Sequence, residues 1–234
     1  MPNEHLHEEP LDEEERQLAK ELEAGEWVSD PTFVVTDEFE EAVSALETTA
    51  NELERAKADS YRWKWVILAL HSVLQGMMAL ALRGGNNLRV LKPKDAKRFL
   101  DAYENGTPIP ADLQMDDFLN LYKKIKSDAM LFYVDSEKFT PQGTQGRSIK
   151  RLNRLRNQFI HFTPRTFMLV LNELPEITLD CLNIAGFLAW NSNNVGWDVK
   201  DNEAELIERA KKAFQSATEA AQEIKEAYAL PPQV

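Results

Sequence analysis

Arg156, Asn157 and His161 are the residues of this 234-residue chain whose types and spacing could do chemistry together. An imidazole titrates near neutrality and moves protons, a guanidinium holds phosphate oxygens through a planar fork, and a carboxamide can orient either group. Those abilities match metal-free RNA cleavage, which needs a 2′-hydroxyl deprotonated, charge on the phosphorus oxygens stabilised and the leaving 5′-oxygen protonated. The three residues lie in the stretch 147–163, RSIKRLNRLRNQFIHFT. Its apolar members Ile149, Leu152, Leu155 and Phe159 recur at steps of three or four, the period of an amphipathic helix. The other faces carry Arg147, Lys150, Arg151 and Arg154, candidates for steering and binding RNA. Thr144 is the expected N-cap, and Pro164 disfavours helix at Thr163, so the spacing predicts His161 in the last turn, at the negative end of the helix dipole. On such a helix the five-residue interval turns through about 500°, so Arg156 and His161 diverge by about 140° while Asn157 and His161 share a face. One copy of the helix is therefore a poor constellation.

The string Arg156-Asn157-Gln158-Phe159-Ile160-His161 resembles the R-polar-x-x-x-H motif of HEPN domains, the small all-α family found in many prokaryotic toxin and defence ribonucleases. The flanking text is similar as well: an apolar helix rich in Trp and Ala upstream, LRNQFIHF, a Pro-containing connection, then another apolar helix from Leu174 to Trp190. The resemblance covers roughly residues 60–190. It implies a metal-independent endoribonuclease acting as a toxin or defence effector, with Arg156, His161 and Asn157 as catalytic residues. It also implies a symmetric homodimer in which both motifs face one shared cleft; an antitoxin or other protein partner is a further expectation. The competing reading is a non-catalytic HEPN-like module that binds a nucleotide, RNA or a protein partner, and a purely structural helical protein comes third.

Composition narrows the partners. A net charge of −12 argues against a general nucleic-acid coat, because nonspecific binding depends on phosphate neutralisation, so any RNA contact must be local. Hydrophobic residues make up 43% of the chain, enough for a real core. Cys181 is the sole cysteine, which excludes an intrachain disulfide and a zinc-type Cys/His set; no metal or other cofactor is expected. There is no internal repeat, no G-x-G-x-x-G, no Walker loop and no H-E-x-x-H. The acidic N-terminus lacks the basic-then-apolar order of a signal peptide, and the expected location is cytoplasmic. Only Trp65 to Leu82 approaches membrane length, and its His71, Ser72, Gln75 and Gly76 fit a buried central helix better than a span, so no membrane partner is expected.

The elements that must position the motif read as an all-α, up-and-down bundle with long N- and C-terminal amphipathic helices. Residues 1–35 are expected to be an acidic tail and linker, with a short helix from Leu11 to Glu23, a linker from Gly25 to Pro31, and Trp27 and Phe33 as anchors. The tail is read as a solvated extension, the alternative being an acidic arm over the cationic helix. A single HEPN-like domain is expected over 36–230, with its core at about 60–190. Phe39, Val43, Leu46, Ala50 and Leu53 predict one long helix, and Ile207, Ala210, Phe214, Ala217, Ala221, Ile224 and Tyr228 predict another, opened by a capping box of Asn202 and Glu205. Their seams suit packing on each other or on a second subunit. Short helices are predicted at Lys94–Glu104 and Asp116–Lys126, while the run Phe167–Leu171 fits either an extended or a helical form. His71 and Gln75, four apart on the central helix, are candidates for a mutual hydrogen bond and for supporting the site from behind.

Overall fold

Asp37 starts the first helix: its carboxylate accepts the backbone N–H groups of Phe39 (2.9 Å) and Glu40 (3.1 Å), two of the donors a helix start leaves without partners. The computed structural model describes residues 34, 36–161, 166–197 and 203–229. The expected tail helix, the linker, Trp27, Phe33, Pro164 and Asn202 lie outside them. Contacts divide the chain into Met1–Thr36 and Asp37–Val234, and the architecture below belongs to the second unit.

In chain order its helices are α1 (Glu38–Ala56), α2 (Trp63–Arg83), α3 (Pro93–Glu104), α4 (Phe118–Lys124), α5 (Gln145–Ile160), α6 (Leu174–Gly186) and α7 (Glu203–Ala229). Among the described residues there is no strand, only an isolated antiparallel bridge between Leu91 and Met115, so the chain is all-α. Helix α2 packs against α1, α5 and α6; α7 closes the far side against α1 and α6, and α5 packs on α6. This central position is dictated by its sequence. With Trp63, Val66, Ile67, Leu70, Val73, Leu74, Met77 and Met78 all buried, α2 is apolar nearly all round and leaves only a narrow strip through Trp65 and Ser72 open to water. The stretch Ser60–Arg83 is long and apolar enough to cross a membrane, yet most of it is buried inside the bundle, where a core helix passes the same test. Gly84 ends it at φ 52°, a left-handed conformation that glycine adopts without penalty.

The two long amphipathic helices satisfy each other. Phe39, Val43, Leu46, Ala50 and Leu53 of α1 and Ala210, Ala217, Ala221 and Ile224 of α7 are buried, with Phe214 and Tyr228 packed at the margin. Their seams are consumed within one chain, so a second subunit would have to use other surface. Arg209 locks the pair from α7, its Nε donating to Glu47 (2.9 Å) and one terminal nitrogen to Glu40 (3.0 Å). Helix α6 continues through one wide turn, Phe187–Asn191, within which Trp190 stacks on Trp197 with ring centres 4.9 Å apart. The Trp197 indole N–H donates to the Ala189 carbonyl, and Phe214 of α7 meets Trp190 edge-on.

Residues 86–143 leave the bundle between α2 and α5 and return across the top of the site. Lys124 holds this excursion together, donating to the carbonyls of Arg89 and Leu91 and pairing with Asp116 at 2.7 Å. The segment 166–170 is not helical; a 3-10 turn, Leu171–Glu173, leads into α6.

Candidate functional site

Helix α5 carries five cationic side chains and no acidic one, in a chain where acids outnumber bases 39 to 27. Ser148, Ile149, Leu152 and Leu155 are its buried face and fix its rotation against the core. Thr144 stands at the N-cap position, but its hydroxyl does not cap. It donates instead to Asp180 of α6 (2.7 Å), which also takes the Ser148 hydroxyl (2.5 Å), so the start of α5 is tied to α6 by side chains. At the other end His161 is the C-cap, its backbone N–H donating to the Asn157 carbonyl at 2.9 Å while the imidazole stays exposed.

Two faces of α5 then divide the predicted residues. Lys150, Arg154, Asn157 and His161, at steps of four, three and four, line one shallow cleft of about 590 Å³ with Leu119 and Gln158. Asn153, Arg156 and Asn157 line another, of about 570 Å³, opposite His71 and Gln75 of α2 and beneath Met115, Asn120 and Lys123 of the excursion. Arg156 and His161 therefore open on different clefts, as the helical angle between them requires, and Leu119, Asn153 and Asn157 line both. The Arg156 guanidinium donates to the Asn157 Oδ1 at 3.1 Å. Among the described residues neither Arg156, Lys150 nor Arg154 has an acidic partner within salt-bridge distance. Arg151 differs: it is held by Glu173, which accepts from its Nε at 2.8 Å and from a terminal nitrogen. Arg147 is exposed near Glu176, whose carboxyl is held below the usual range by Lys225 and, more weakly, by Arg147.

His71 is where the sequence expectation needs correcting in detail. It does not pair with Gln75. Its ring is 4% exposed, stacks on Phe118 at 4.0 Å, and has Nε2 3.1 Å from the Asn153 Oδ1 across the α2–α5 contact. Burial pushes the imidazole down to about 4; the Asn153 hydrogen bond opposes that shift and the Arg156 charge adds to it. The ring is thus neutral at pH 7, and because an amide oxygen only accepts, Nε2 carries the proton it donates. Asn153, Phe118 and Asn120 were not singled out by sequence reasoning. Asn153 had a usable signal, lying three residues before Arg156 and four before Asn157 on the same helical face. Phe118 and Asn120 had none, since only the fold of the excursion brings them over α5.

Among the described residues no cluster of three His, Cys, Asp or Glu side chains could hold a metal ion. What the geometry defines is a helical bundle with one cationic helix, a terminal histidine and a carboxamide-rich cleft. Comparison of the chain with family models, with curated proteins and with solved structures finds no match.

Proposed function

We propose that this protein is a HEPN-like, metal-independent endoribonuclease of the toxin or defence type, its site completed by a second copy of the chain. The observation that carries the proposal is the row Lys150, Arg154, Asn157, His161, where cations without acidic partners lead to an exposed imidazole on a helix free of carboxylates. In a chain of net charge −12 such a row concentrates positive potential in one place, as local capture of an RNA strand requires. Lys150 and Arg154 would take backbone phosphates, Arg156 with Asn157 the oxygens of the scissile phosphate, and His161 a proton of the 2′-hydroxyl or of the leaving oxygen.

Among the described residues a single chain supplies one such imidazole, since His71 is buried and neutral. Two proton transfers need two groups, and a two-fold partner presenting the same helix end supplies the second. The test is cleavage of labelled RNA in EDTA by wild type and by His161→Ala, with sedimentation of both. Cleavage by a wild-type dimer and its loss in the variant support the proposal. A monomer at every concentration with full activity rules out the shared cleft. A second reading, a non-catalytic HEPN-like module binding a nucleotide, RNA or a protein partner, is favoured by one observation: Arg156 lines the His71 cleft rather than the His161 cleft. RNA binding without cleavage would put that reading first.

A further inference from the structure

The cleft between α2, α5 and the excursion holds more hydrogen-bonding capacity than the bundle uses. Four carboxamides line it, Gln75, Asn120, Asn153 and Asn157, and their bonding states differ. Asn120 is fully occupied, donating to Asp116 and accepting from Lys123. Asn153 accepts from His71 and Asn157 from Arg156, each through Oδ1, so each keeps an NH₂ group to offer. Gln75 is half-buried, lines the cleft and makes no hydrogen bond to any described residue, so both ends of its amide are available to a ligand. None of these amide atoms is both buried and unpaired, so water occupies them in the free protein and a ligand entering the cleft would replace that water with its own groups.

We propose that this cleft is a base-reading subsite for one adenine nucleotide of the RNA strand, an inference that rests on the RNA reading of α5 and extends it to sequence preference. The free Gln75 amide offers one acceptor and one donor in a plane, the pair that meets the N6 amino group and N7 of adenine; guanine presents two acceptors at the same edge. The spare NH₂ groups of Asn153 and Asn157 add donors for the remaining ring nitrogens. Met115 and Leu119 give the walls their apolar area, and Arg156 at the rim holds the attached phosphate. Asp117 also lines the cleft, 4.0 Å from Lys92; a phosphate therefore sits on the Arg156 side, away from that carboxylate. A cleft of about 570 Å³ has the size of a small-ligand site. His71 acts as a positioning residue: locked between Phe118 and Asn153, it fixes which way the Asn153 amide points.

The test needs no cleavage and so separates this proposal from the ribonuclease reading. Adenosine 5′-monophosphate, guanosine 5′-monophosphate and inorganic phosphate are titrated calorimetrically into the full chain and into Gln75→Ala. The expected result is adenosine monophosphate binding about 10-fold or more tighter than guanosine monophosphate, with the gap closed in the variant. Asn153→Ala should also narrow it, and Asn153→Gln should restore part of it. The proposal is overturned if the two nucleotides bind equally, if guanosine monophosphate binds more tightly, if inorganic phosphate binds as well as adenosine monophosphate, if nothing binds, or if Gln75→Ala leaves the discrimination intact. RNA cleavage without nucleotide discrimination would retain the ribonuclease and discard the subsite.

Discussion

The α1–α7 seam and the end of α5 use the same residue types to opposite ends. At the seam Arg209 is clasped by Glu40 and Glu47, and the ion pair, with the buried Leu46 and Ala217 beside it, closes the bundle. On α5 Lys150, Arg154 and Arg156 face clefts, with no carboxylate on their own helix and no ion-pair partner among the described residues, although Asp116 and Asp117 line the Arg156 cleft. An acidic protein has acids to spare. Lys150, Arg154 and Arg156 thus remain without an ion-pair partner among the described residues, whereas the charge at the seam is spent on the fold.

The largest effect expected from breaking this contrast is on chemistry. His161→Ala should lower RNA cleavage by roughly 10²–10⁴-fold with an unchanged melting temperature, because the imidazole is exposed and packs on nothing essential. Retained cleavage in a folded variant removes His161 from the mechanism. At the seam the effect should be on stability: Leu46→Ala, fully buried, should cost about 2–5 kcal/mol in denaturant unfolding. A cost near zero there would mean that α1 is not part of the cooperative core.

Both predictions use residues whose roles the sequence already suggested, and the reason is periodicity. The stripes of α1, α5 and α7 each repeat over several turns, so which face is buried follows from spacing alone. The angle that parts Arg156 from His161 was legible in the same way. What spacing could not show was where polar side chains reach between helices. Thr144 reaches Asp180 rather than its own helix, and His71 reaches Asn153 rather than Gln75, because the neighbouring helix offers a partner at better geometry. The cover of the second cleft, from Met115 to Lys123, is contributed by a short connection and the start of α4, whose position depends on Lys124 and two backbone carbonyls, a contact no local pattern announces.

The next effect in size is a pH dependence at His71. Its folded-state imidazole is held near 4, below the ordinary histidine value, so the unfolded chain takes up a proton first as pH falls. Its contribution to stability is complete above about pH 6.5, declines between about 6.5 and 4, and declines no further below that, for a total of up to about 3 kcal/mol. Unfolding of wild type and His71→Gln at pH 7.5, 5.5 and 4, conditions chosen to bracket that window at about these values, should show the gap between them shrinking with acid. A gap independent of pH would place a proton on the folded ring.

Smaller still is Arg209→Met, expected to cost about 1 kcal/mol at neutral pH, as partly exposed ion-pair networks do. The Glu47 carboxyl is held below its usual range by the Arg209 hydrogen bond, so this contribution is present above the ordinary glutamate range and is lost only as pH falls through the depressed value. Last, Arg154→Ala should change stability by less than about 0.5 kcal/mol, while reducing the salt dependence of RNA binding by about 0.7 in log–log slope. A large loss of stability in that variant would erase the contrast between the two regions, since it would make α5 a structural helix like any other.

The stacked indoles of Trp190 and Trp197 lend the molecule an optical property. Two such rings nearly parallel at 4.9 Å form a chiral aromatic assembly, and the Phe214 ring of α7 joins it only while the last helix is docked. Near-ultraviolet circular dichroism should therefore carry a contribution from this junction, beside those of the other aromatic side chains and separate from the far-ultraviolet signal of the helices. Its disappearance ahead of helicity during heating would mark the release of the C-terminal helix as a discrete early event, readable without any attached probe.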